Sequence, residues 1–250
     1  MSLLPNEYEL RARLKPILLV SLPPTLALMS WFPDLSGMQC LVGLLAGFGF
    51  VALLAQLGRD QGKKFEPWLY EQWGGMPSVQ LLRHRDLRLA TETKRRYHEA
   101  LTQLVTQLHL PSAKAEAVDL RSADSSYESC SAFLRERTRD KKAFPLVFAE
   151  NVNYGFRRNL WGMKRAAIAL CLISAAASAA ATIVFTKGGL PPVVPAVATL
   201  LSASLFAWWL LRIKPAWVQL AAYAYAERLL SSCETIRPEP STQKHLLIDP

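Results

Sequence analysis

Four long stretches without a single charged side chain decide what this chain can fold into. Eighteen residues separate Lys15 from Asp34, 24 separate Asp34 from Arg59, 21 separate Arg165 from Lys187, and 24 separate Lys187 from Arg212. A helix of roughly 20 mostly apolar residues crosses the ~30 Å hydrocarbon layer of a bilayer. The spacing therefore predicts four membrane spans, paired as two hairpins. Of the 250 residues, 51% are apolar, yet mean hydropathy is only +0.12, because a long polar segment separates the hairpins.

Charge sets the orientation. Twelve Lys or Arg, from Arg11, Arg13 and Lys15 to Arg212 and Lys214, flank the spans on one side, against Lys187 in the short loops of the other. The positive-inside rule then places both termini and the middle segment in the cytoplasm. Of the net charge of +9, most lies between Arg59 and Arg165, where 20 Lys or Arg face 13 Asp or Glu. No small-residue cleavage pattern follows the first apolar stretch, so it is expected to stay as a span. Pro23 and Pro24 interrupt that span and are expected to kink it.

Four segments follow: residues 1–57, a short amphipathic helix and the first hairpin; 58–165, a basic helical cytoplasmic domain; 166–212, the second hairpin; and 213–250, a C-terminal helix and disordered tail. The first hairpin is expected to turn at Pro33–Gly37, the second through Gly188–Pro192. In the insert, Thr91 is a candidate cap for a helix with its apolar stripe at Tyr97, Leu101, Leu104, Val105 and Leu108. Ser112 can cap the next helix, and Asp124 can start another. Pro145 suits the first turn of a long helix running through Tyr154 and Trp161 into the third span. The expected class is all-α, with no sustained strand alternation. A helix continuous between soluble and membrane parts can transmit a tilt or rotation.

Three segments stand out chemically. Phe65–Ser78 holds Trp68, Tyr70 and Trp73 before Gly74 and Gly75. It suits an interfacial aromatic belt, or a platform whose glycines admit a ligand. Arg83, Arg85, Arg88, Lys94, Arg95 and Arg96 cluster with His84, as a solvated face, an anionic-lipid contact or a polyanion site. Asn151, Asn153, Tyr154, Arg157, Arg158 and Asn159 precede the third span; anchoring accounts for the arginines but not for the asparagines. Small residues recur in the spans, at Gly43, Gly47 and Gly49, at Ser174, Ala177, Ser178 and Ala181, and at Ser202 and Ser204, which permits close helix packing.

No catalytic constellation is evident, so no enzymatic activity is expected. His84, His98 and His109 lack the spacing of helical metal ligands. No cofactor or metal is expected, and Cys40, Cys130, Cys171 and Cys233 are predicted to be packing residues rather than zinc ligands or disulfides.

In this layout the chain resembles the small membrane effectors of bacterial anti-phage defence operons, and among them the membrane effector of the Hailong system. The likeness rests on overall arrangement, with Phe65–Asp86 and Asn151–Lys164 as its signature segments. It implies a multi-pass protein of the bacterial inner membrane, assembled as a homo-oligomer, in that family a tetramer. It implies an ion channel held shut by single-stranded oligodeoxyadenylate from a nucleotidyltransferase partner, and opened when that DNA is lost, which depolarises the cell. On this view Arg83, Arg85, Arg88, Lys94, Arg95, Arg96, Arg157 and Arg158 contact DNA phosphates, and Trp68, Trp73 and Tyr154 stack on bases. The alternative is a membrane-anchored scaffold that recruits a cytoplasmic partner without conducting ions.

Overall fold

The computed structural model describes residues 8–32, 56–105 and 108–237, and all regular structure among them is helical. Among the described residues three helices are long and apolar enough to cross a membrane: Leu10–Trp31, Pro145–Lys187 and Val193–Arg212. They carry the first, third and fourth predicted spans. The second predicted span, with Cys40, Gly43, Gly47 and Gly49, lies outside the described residues apart from its last turn. So do the expected Pro33–Gly37 turn and the tail after Arg237.

The chain divides into two compact units, residues 1–73 with 149–222, and residues 74–148 with 223–250. In the first unit the described part of the expected lead-in helix is continuous with the first span. Glu9–Leu14 winds as a π-helix straight into α1 (Lys15–Trp31). Pro16 has no N–H for the Ala12 carbonyl four residues earlier, and the Asn159 side-chain amide donates to that carbonyl instead, at 2.8 Å. This bond explains one asparagine that anchoring does not. Helix α1 continues through Pro23 and Pro24 and packs against α8 (Val193–Arg212). Helix α2 covers residues 56–73. Ile17, Leu160, Ala167, Cys171, Trp209 and Ile213 form the core of this unit. Ser30 lies 3.4 Å from Ser178, hydroxyl to hydroxyl, so part of the small-residue stripe is a buried helix contact.

Helix α7 (Pro145–Lys187) is a single element, with Pro145 at its start as predicted. Its end has a defined cause. Gly189 takes φ of +72°, which only glycine adopts without strain. Its N–H donates to Thr186 O at 3.2 Å and that of Leu190 to Phe185 O at 2.9 Å, the paired bonds of a Schellman motif. The expected turn between the last two spans is thus built. After α8, helix α9 (Pro215–Ser231) and a 3-10 turn (Ser232–Glu234) follow.

The second unit packs α3 (Pro77–Leu82), α4 (Thr91–Leu104), α5 (Ala113–Val118) and α6 (Leu120–Arg137) around Leu81, Leu82, Leu101, Tyr127, Leu134 and Leu229, all fully buried. Each such side chain contributes about 1.5–3 kcal/mol. Tyr97 and Leu101 of the predicted α4 stripe are buried, and Leu104 packs against the same core. Two predicted caps need correction. Ala90, not Thr91, precedes α4 and makes no side-chain bond. Helix α6 starts four residues before Asp124, because Asp119 accepts from the Ser122 N–H at 3.0 Å; Asp124 has another partner. Ser112 caps α5 through the Ala115 N–H, as expected. Leu229 and Leu230 place the end of α9, and Cys233 the turn after it, in this core.

Candidate functional site

In the first unit α2 and α7 meet through glycines. A Cβ on Gly162 would fall 2.6 Å from Gly62 N, and one on Gly62 would fall 3.1 Å from Asn159 Cα. Backbone therefore touches backbone. One turn beyond Gly62, the Glu66 carboxylate collects three donors. Arg158 Nη1 donates at 2.9 Å, the Tyr154 hydroxyl at 2.7 Å and Lys63 Nζ at 3.1 Å. The Tyr70 hydroxyl lies 3.3 Å from that of Tyr154. Arg158 and Glu66 side chains are only 6% and 12% exposed, so the pair is removed from water. Burial opposes ionisation of Glu66, but Arg158, Lys63 and the Tyr154 hydroxyl together outweigh it and hold the carboxyl below its usual value. Burial also pulls on the Arg158 guanidinium, and Glu66 overcomes that pull.

The second unit also has internal cations. Arg83 forms a two-pronged bond with Asp124, both contacts at 2.7 Å, and donates to Gly74 O at 2.9 Å. Gly74 and Gly75 both have positive φ, and a Cβ on Gly75 would meet the Arg83 guanidinium at 2.8 Å. The group that uses the bare backbone of these glycines is thus Arg83. Lys94 is buried, and its ammonium donates to the carbonyls of Arg83, at 2.6 Å, and of Asp86. Glu116 accepts from the His84 N–H and the Tyr127 hydroxyl, each at 2.8 Å, and from the Arg85 N–H at 3.3 Å. Burial disfavours the Glu116 anion, yet these donors lower its carboxyl below the ordinary value. A buried cation and a buried anion thus hold the first half of the loop between α3 and α4, residues 83–86.

Replacing Lys94 with methionine should release that loop. Its carbonyls lose charge-assisted bonds worth about 1.5–3 kcal/mol each, partly recovered from water. The expected result is a drop in Tm with faster amide exchange over residues 83–89 and unchanged exchange in α8.

The basic cluster of the sequence is therefore sorted by burial. Arg85, Arg88, Arg95 and Arg96 are exposed, while Arg83 and Lys94 are buried. Arg88 lies 3.7 Å over the Tyr223 ring, Arg95 pairs with Glu92 and Glu99, and Arg96 pairs with Glu234. These six residues belong to the second unit. Arg157, Arg158, Trp68, Trp73 and Tyr154 belong to the first. There Arg157 donates to Trp217 O at 2.9 Å and covers its ring at 4.8 Å. Trp68 is 41% exposed and stacks on Trp161, whereas Tyr154 is 5% exposed, and Trp73 packs 6.0 Å from Tyr70. The histidines meet edge to face at 4.9 Å for His84 and His98, each with Nε2 against a backbone carbonyl. Among the described residues no group of three His, Cys, Asp or Glu is placed to hold a metal. Cys130, Cys171 and Cys233 are free, buried thiols.

Sequence reasoning did not find Gly62, Gly162 or Glu66. The four-residue spacing of Gly58 and Gly62 was the available signal, because small residues at that interval form a flat helix face. No protein-family profile, curated protein or solved structure matches this chain.

Proposed function

We propose that this protein is an oligomeric ion channel of the bacterial inner membrane. Its four spans form two hairpins, both termini lie in the cytoplasm, and single-stranded DNA bound to the basic helical unit holds the channel closed. The observation that supports this reading most is the pairing of membrane-length apolar helices with a separately cored unit that displays four exposed arginines, Arg85, Arg88, Arg95 and Arg96. The apolar faces of α7 and α8 add to it. Leu172, Ile173, Val184, Val197, Leu200 and Leu211 are all exposed in a single copy, which suits contact with lipid or with further copies. The DNA ligand and its closing effect come from the resemblance to the Hailong effector. The phosphate role is assigned to the exposed arginines, whose carboxylate pairs face water, since Arg83, Lys94 and Arg158 are buried on internal acceptors.

Closure by DNA is a population shift. Moving a channel from 1:99 to 99:1 closed needs about 5.5 kcal/mol of preference for the closed state. A strand crossing several subunits gathers that preference from many modest phosphate contacts. The test is ion flux from liposomes carrying the purified protein, with and without short oligodeoxyadenylate. Flux suppressed by DNA, and restored as salt rises, is the expected result. Arg85→Gln with Arg88→Gln should lower the salt slope of binding by about 0.7 per lost contact. Flux indifferent to DNA would remove the ligand from the proposal. Absence of flux in both conditions would favour the anchored scaffold, for which the nearly fully exposed Leu87 and Val118 of the second unit would serve as partner contacts.

A further inference from the structure

Within the first unit a cleft of about 580 Å³ opens beside the start of the uncharged part of α7. Phe65, Trp68, Trp161, Lys164, Arg165 and Ile168 line it. Trp68 and Trp161 stack nearly parallel, at 12° and 6.0 Å between centroids, and form a flat apolar wall. Lys164 lies 5.5 Å from the Trp161 ring, and Arg165 lies 6.0 Å from Phe65. Two of the three Lys164 N–H groups are spent, because its ammonium donates to Ile213 O at 2.6 Å and to Leu210 O at 3.5 Å and so covers the carbonyl end of α8. Arg165 is exposed and has no carboxylate partner among the described residues. Burial, and after it the neighbouring Lys214, depress Lys164, so a second cation lies close to this ammonium.

We propose that this cleft is a binding site for the headgroup of an anionic phospholipid. The phosphodiester sits against the Arg165 guanidinium and the remaining N–H of Lys164. The glycerol backbone and upper acyl chain lie along Trp68, Trp161 and Ile168. Two observations select a lipid over a soluble anion, and a third selects a phosphate group. Twenty-one uncharged residues begin immediately after Arg165, so the cleft lies at the depth of the headgroups. Its wall is aromatic and aliphatic beyond what a phosphate needs. The arginine fork matches phosphate oxygens in pairs, which a compact ammonium does not. A bound anion would also neutralise the repulsion around α8's end. The site rests on α7 spanning a bilayer and does not depend on channel activity.

The test is tryptophan quenching of the full chain in phosphatidylcholine nanodiscs doped with brominated phosphatidylglycerol or, separately, brominated phosphatidylcholine. The expected result is stronger quenching by the anionic lipid, with its apparent affinity reduced about fivefold by Arg165→Gln. Arg165→Lys, which keeps the charge, should retain part of the preference, and Arg59→Gln, outside the cleft, should retain all of it. Equal quenching by both lipids would overturn the proposal. So would an equal loss in Arg59→Gln, which would indicate a diffuse surface field. Removal of the preference at constant ionic strength by inorganic phosphate would reassign the cleft to a soluble anion, and removal by oligodeoxyadenylate to nucleic acid. A chain that stays soluble and enters no nanodisc would remove the membrane reading itself.

Discussion

Gly162→Ala is expected to destabilise the protein by about 3 kcal/mol, near the upper end of what overpacking costs. The added methyl would lie 2.6 Å from Gly62 N, 2.8 Å from Gly62 Cα and 2.9 Å from the Gln61 carbonyl carbon. All three are backbone atoms of a helix, which cannot move aside singly. The whole of α2 would have to shift, taking Glu66 away from Arg158. Two other glycines provide graded controls. At Gly58 a methyl would meet the Met163 sulfur at 2.5 Å, but a thioether can change rotamer, so the cost should fall to about 1 kcal/mol. At Gly188 the nearest atoms would be carbonyl oxygens at 3.4 and 3.6 Å, ordinary contact, so Ala should leave Tm nearly unchanged. Thermal unfolding of the three variants in detergent, followed by circular dichroism, checks the order. Equal effects at Gly162 and Gly188 would show that the α2–α7 crossing contributes little.

Periodicity and charge made the helices legible. The uncharged stretches gave three membrane-length helices, and Pro145, Ser112 and the Gly188–Pro192 turn behaved locally, as capping and turn chemistry do. Helix starts that depend on a choice between neighbouring polar residues were harder. Asp119 and Asp124 are both good caps in isolation, and only the packing of Arg83 against Asp124 distinguishes them. The candidate site was legible as composition, not as geometry. A run such as Arg83, Arg85, Arg88, Lys94 shows its charge but not its burial. Arg83 finds its carboxylate 41 residues away, and Lys94 finds carbonyls in the preceding loop. Arg158 is similar: its partner Glu66 is 92 residues distant, and no local pattern pairs them. The same holds for Asn159, whose role depends on a proline in a helix 143 residues before it.

The Glu66–Arg158 pair is the second place where a single change should have a large effect. Arg158→Met leaves the Glu66 carboxylate buried with only Lys63 and a hydroxyl for company, and Glu66→Met leaves a buried guanidinium without its anion. Breaking one side of such a pair costs about 3–5 kcal/mol, whereas replacing both with apolar groups is often neutral. Each single variant should therefore lose far more stability than the double variant Glu66→Met with Arg158→Met, and the double-mutant cycle should show strong coupling. The dependence on pH has a definite sign. Burial raises the Glu66 carboxyl, but its cationic and hydroxyl partners win, so the folded value lies below the unfolded one. A depressed carboxylate contributes stability that is fully present above its unfolded value and is lost as pH falls through the folded one. Acid should thus destabilise the wild type over that window. In Glu66→Gln this part of the slope should vanish, because no proton is taken up at that site. Unfolding midpoints measured from neutral to acidic pH on both proteins test this, and parallel curves would show that Glu66 is ionised to the same degree folded and unfolded. Loss of the pair would also loosen Tyr154, whose hydroxyl is held between Glu66 and Tyr70. The residues just before the uncharged part of α7 would then exchange their amides faster, while Leu229 and Leu230 in the second core should be unaffected.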